Sequence, residues 1–125
     1  MRIYLSGRYE RRKELKGYAE KLVERGYEVT SRWHECEDEE ENHQNAQAGA
    51  LMDIEDVRSS DMLIAFTDLP GNTQRGGRHV EFGLAMAEGK RLMVVGPLEN
   101  VFHYMPQVTR CLDWPAALWE LERHL

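Results

Sequence analysis

The stretch "MLIAFTDLPGNTQRGGRHVEFGLAMAEGKRLMVVG", Met62 to Gly96, decides the fold. Its first five residues are all apolar and too few for a helix, which predicts a strand buried on both faces. A loop rich in turn formers follows, Thr67 to Gly77. Arg78 to Glu88 then reads as a helix stopped at Gly89, and "RLMVVG" (91–96) is a second run without a polar face. Strand, helix, strand in this order make two parallel strands joined by a right-handed crossover.

Working outward, "IYLS" (Ile3 to Ser6) predicts a first strand ending at Gly7. From Glu10 to Arg25, Leu15, Tyr18, Ala19, Leu22 and Val23 form one apolar face of a helix, with Gly26 where a C′ glycine belongs. "YEVTSRW" (27–33) predicts a second strand, and the acidic run "ECEDEEEN" (35–42) a solvated loop. Ala46, Ala50, Ile54 and Val57 fall at helical spacing between Gln44 and Ser59. After the loop 96–107 comes a short strand at Thr109 to Leu112. A last helix follows, capped by Asp113 and lined by Ala117, Leu118 and Leu121. The met methionines Met86, Met93 and Met105 read as core filler. The alternation predicts one α/β domain over residues 1–125, a doubly wound parallel sheet with helices on both faces. Such sheets bind ligands beyond the carboxyl ends of their strands, at the point where strand order reverses. "SGR" (6–8) and "RGG" (75–77) would both open into that crevice.

The net charge of −6 argues against a protein that coats a nucleic acid polymer, which needs a basic surface, yet leaves room for a small anion held by local arginines. Cys36 and Cys111 are too few and too scattered for a disulfide framework. The chain opens on "MRIYLSG" without a signal-peptide core, and no stretch approaches eighteen apolar residues. A soluble, cytoplasmic protein with no membrane partner is expected. His34, Cys36 and His43 match no common zinc spacing, so neither metal nor other cofactor is expected.

Glu81 has two readings. A glutamate in the first turn of a helix satisfies free N–H groups and the helix dipole; a glutamate behind Gly76 and Gly77 can instead face a ligand brought close to the backbone. Asp53 borders the apolar stripe of its helix, as an exposed edge or as a buried acid with a task. Tyr4 reads as a core tyrosine with its hydroxyl tied to a partner. Arg8, Arg11 and Arg12 stand at a helix start, where cations oppose the dipole, and with Arg75 and Arg78 they suggest a bound phosphate.

"IYLSG", "MDIEDVRSSDMLIAF", "GGRHVEFGLAMAEGK" and "VVGPLENVF", in this order, resemble the nucleoside 2-deoxyribosyltransferase family, which includes nucleoside 5′-monophosphate N-hydrolases. The resemblance covers nearly the whole chain. It implies a flavodoxin-like three-layer sandwich, assembled as a homodimer or larger homo-oligomer, that cleaves or transfers at the N-glycosidic bond of a nucleoside or nucleotide. By it, Glu81 is the nucleophile, Asp53 the acid beside sugar and base, and Tyr4 the residue that orients the nucleophile. Asn100 would reach a neighbouring subunit's site. Ser6, Gly7, Arg8, Arg11, Arg75, Gly76, Gly77 and Arg78 would line the substrate, and Trp33, in "SRWHE", would help form the base pocket. The competing readings are a phosphoribohydrolase of the lysine-decarboxylase-like type and a nucleotide sensor without turnover.

Overall fold

The computed structural model describes residues 1–36, 43–69 and 76–124. Five strands, β1 (Arg2–Ser6), β2 (Glu28–Val29), β3 (Met62–Phe66), β4 (Arg91–Val95) and β5 (Val108–Cys111), form one sheet in the order β2-β1-β3-β4-β5. Every pairing is parallel, with Ser6 opposite Ala65 and Phe66 opposite Val95. This is the flavodoxin-like sandwich, and its strand order reverses between β1 and β3.

The central strands read correctly because they are covered on both faces: Ile3, Tyr4, Leu5, Leu63, Ile64, Met93 and Val94 are all fully buried. Helices α1 (Arg12–Glu24) and α4 (Trp114–His124) share one face, where Tyr18 stacks on Trp114 at 4.4 Å between ring centres. Right-handed crossovers put α2 (His43–Arg58) and α3 (Gly77–Ala87) on the other face, packed against each other. Asp113 caps α4, its Oδ1 accepting the Ala116 N–H at 3.0 Å.

The second strand departs from expectation. Only Glu28 and Val29 pair as strand, and the rest of "YEVTSRW" satisfies the edge of β1 largely through side chains. The Thr30 N–H donates to the Ile3 carbonyl at 2.8 Å. Ser31 Oγ accepts the Leu5 N–H at 3.1 Å, and the Trp33 indole N–H donates to the Leu5 carbonyl at 2.7 Å. Helix α2 is present, but its expected apolar stripe is not the buried one: Val57 is buried while Ala46, Ala50 and Ile54 are exposed. Val23 and Met105 are exposed too, whereas Met93 is core. Residues 37–42 of the acidic run lie outside the described residues. No helix among the described residues is long and apolar enough to cross a membrane.

Gly96, just past β4, shows how tightly the carboxyl edge is built. Its φ is +117°, and a Cβ there would lie 2.6 Å from Thr67 Oγ1 and 3.2 Å from the Thr67 carbonyl oxygen. Thr67 is itself held, its N–H and its hydroxyl both donating to the Val95 carbonyl. The residues leaving β3 are therefore fixed against β4.

Candidate active site

Four of the residues singled out in the sequence meet at the carboxyl end of β1. Tyr4 and Ser6 alternate along the strand, so both project from the same face. That face is covered by α3, which brings Glu81 over them. The Tyr4 hydroxyl donates to Glu81 Oε2 at 2.9 Å, and the Ser6 hydroxyl donates to Oε1 at 2.7 Å. Both carboxylate oxygens are thus engaged by hydroxyls on fully buried residues. Asp53 of α2 approaches the same carboxyl closely enough to share a hydrogen bond with it. Its Oδ1 is buried without a hydrogen-bond partner.

The electrostatics follow from burial. Loss of solvent raises the Glu81 carboxyl to about 7 and the Asp53 carboxyl to about 6. The two charges' mutual repulsion raises Glu81 further, while the Ser6 and Tyr4 hydroxyls pull it back down. Burial, with the Glu81 and Asp53 charges beside it, drives the Tyr4 phenol far above its ordinary range, so it stays protonated and remains a donor. The expected helix-start role of Glu81 is corrected here. α3 begins at Gly77 and carries no acid in its first turn, so Glu81 sits in the second turn and faces the sheet. Burial sets its proton affinity, and the helix end does not hold it low.

Gly76 caps α3 at φ +85°, a conformation only glycine adopts without strain, and no side chain caps the helix. A Cβ on either Gly76 or Gly77 would meet nothing within 4 Å. Gly7 has a packing reason instead: a Cβ there would lie 3.0 Å from Leu15 Cδ2 and 3.6 Å from Phe66 Cβ.

The arginines are already engaged. Arg8 and Arg11 both reach Asp68, and Arg11 also forks onto Glu14 with two 2.8 Å bonds. Arg12 lies over the Tyr9 ring at 4.5 Å from its centre. Arg78 forms a two-pronged pair with Glu99. Arg75 lies outside the described residues. Asn100 caps the short 3-10 turn Val101–Tyr104 by accepting the Phe102 N–H at 3.0 Å, and its Nδ2 lies 3.4 Å from His79 Nδ1. Trp33 is buried, anchored to β1 as described.

Three partners were not legible beforehand: Asp68, Glu99 and Asp56. Asp56 is buried and takes the Arg32 guanidinium through Nε at 3.0 Å and Nη2 at 2.8 Å, locking the 30–35 segment to α2. Each pairing spans twenty or more residues, so no local spacing announces it. Among the described residues, no group of three or more His, Cys, Asp or Glu side chains is arranged to hold a metal ion.

Fold and site together describe a flavodoxin-like α/β protein with a hydroxyl-clamped carboxylate at its switch point. Among solved structures the chain is similar to the CMP N-glycosidase BcmB of Clostridium botulinum, with a TM-score of 0.63 and 20% identity, over 98% of this chain and 99% of that one. At that identity the likeness is one of fold. No family model matches the chain, and no curated protein does.

Proposed function

We propose that this protein is an enzyme that cleaves the N-glycosidic bond of a nucleoside or nucleoside 5′-monophosphate, with Glu81 as nucleophile. The observation that carries the proposal is the Glu81 carboxylate, held through both oxygens by Tyr4 and Ser6 at the mouth of the sheet, with Asp53 beside it. The full-length likeness of fold to an N-glycosidase supports it.

The chemistry runs on these groups alone. Between their two apparent proton affinities the Glu81–Asp53 pair carries one proton. Glu81, raised to about 7 against about 6 for Asp53, holds that proton at rest; the reactive arrangement is the one in which it has passed to Asp53, leaving Glu81 ionised with hydroxyl donors on both oxygens. Glu81 attacks C1′ of the sugar as the C1′–N bond breaks; the bonding electrons leave with the base, which takes the Asp53 proton. The glycosyl ester on Glu81 is then attacked at C1′ by water, whose proton returns to Asp53, releasing the sugar and regenerating the carboxylate. A second base in place of water gives transfer instead of hydrolysis. The test is incubation with a panel of nucleosides and monophosphates, followed by chromatography for free base. A sensor would bind without releasing any.

The proposal includes a homodimer or larger homo-oligomer. Val101, Phe102 and Tyr104 are exposed on the turn after β4, and Val80 is exposed on α3 beside the site. A second copy covering them would bring Asn100 near a neighbouring crevice.

A further inference from the structure

The arginines at the crevice contain an anion of the protein's own. Asp68 Oδ2 accepts from Arg8 Nε at 2.9 Å, and its Oδ1 accepts from Arg8 Nη2 at 3.3 Å and Arg11 Nη1 at 3.4 Å. The pair is largely shielded, the Asp68 side chain being 12% exposed and Arg8 26%. The Nε–Nη2 edge that Asp68 fills is the edge a phosphate would take, because carboxylate and phosphate present the same pair of oxygens to a guanidinium. The remaining Arg8 nitrogen, Nη1, already faces Glu10 at 3.7 Å.

Position links this pair to the site. Arg8 stands two residues beyond Ser6, which holds Glu81, and Asp68 stands two residues beyond Phe66 at the end of β3. Ser6 lies opposite Ala65 in neighbouring strands, so Arg8 stands two residues and Asp68 three residues beyond that level, at most roughly 7 and 10 Å along the chain. If a sugar is bound with C1′ at Glu81 and its 5′ end along β1, a 5′-phosphate would lie toward them.

We propose that Asp68 is a specificity-determining residue: it occupies the Arg8 edge needed by a substrate's 5′-phosphate, so a monophosphate binds only by exchanging one anion for the other. The proposal rests on the N-glycosidase reading for the sugar's orientation. Its test does not require turnover.

Inorganic phosphate is titrated calorimetrically into the full chain, the Asp68→Asn and Asp68→Ser variants, and the double variant Asp68→Asn/Arg8→Gln, with thermal unfolding to confirm folding. A charge-assisted contact is worth about ten- to hundredfold in affinity, so both single variants should bind phosphate tighter than wild type by that factor. The double variant should lose the gain. In parallel, the ratio of kcat/KM for monophosphate over nucleoside should rise about tenfold in Asp68→Asn. Unchanged or weaker phosphate binding in the folded single variants overturns the proposal, as does a gain that survives loss of Arg8. A wild type that releases no base, with variants that still gain phosphate affinity, sinks the enzymatic reading and leaves the anion exchange standing.

Discussion

Tyr4 on β1 donates its hydroxyl to Glu81 on α3 at 2.9 Å, across 77 positions of sequence. The bond ties a central, buried strand of the sheet to the carboxylate at its mouth. Burial with the two carboxylates keeps the phenol protonated at any working pH, so this donor cannot be titrated away.

Tyr4→Phe keeps the ring and its packing and removes only the donor. Hydrogen bonds to charged groups contribute about 1.5–3 kcal/mol, so kcat should fall roughly ten- to hundredfold. The Glu81 carboxyl should also become harder to ionise, moving the acidic limb of the pH profile upward. Steady-state base release across pH checks both effects, and a loss confined to KM would assign Tyr4 to binding.

The coupled carboxyls give the activity a defined window. Below about 6 both carry protons and Glu81 cannot attack; above about 7 both are ionised and no proton reaches the leaving base. The rate should therefore peak between these values and fall on either side. A profile flat from pH 5 to 9 would contradict the shared proton.

The same burial costs stability. Both carboxyls have higher proton affinity in the folded chain than in the unfolded one, so their contribution favours the fold while they are protonated, below about pH 4, and is lost as pH rises through 6 and 7. Glu81→Gln removes a charge that is unfavourable above pH 7 and should stabilise the protein there by about 1–3 kcal/mol. At pH 4 it should change little. Thermal unfolding at the two pH values measures the difference, and equal effects at both would remove the electrostatic cause.

Gly96→Ala should cost more than about 2 kcal/mol, since its φ of +117° and the 2.6 Å approach to Thr67 Oγ1 leave no place for a methyl group. Urea unfolding reads this directly. A near-neutral result would mean that Thr67 moves freely.

Much of the fold was legible because the physics was local. β1, β3 and β4 are apolar on both faces, and Asp113 and Gly26 mark helix ends by rules that act within one turn. β2 was overread because the segment looks β-prone, yet Ser31 and Trp33 meet the edge of β1 with their side chains, and the Thr30 hydroxyl donates to the Asp56 carbonyl of α2. In α2 the helical period was right and the buried face was not, since Asp56, paired with Arg32, takes an inward position beside Val57. At the site, Glu81, Asp53 and Tyr4 were legible as residues, while the hydroxyl of Ser6 as a clamp and the hold of Asp68 on Arg8 depend on contacts across the sheet.

The most direct measurement is chromatography for free base after incubating wild type and Glu81→Gln with nucleosides and nucleoside 5′-monophosphates. The account predicts base released by wild type from at least one substrate, and none above background from a folded Glu81→Gln. No release from any substrate, or equal release by both proteins, would contradict it.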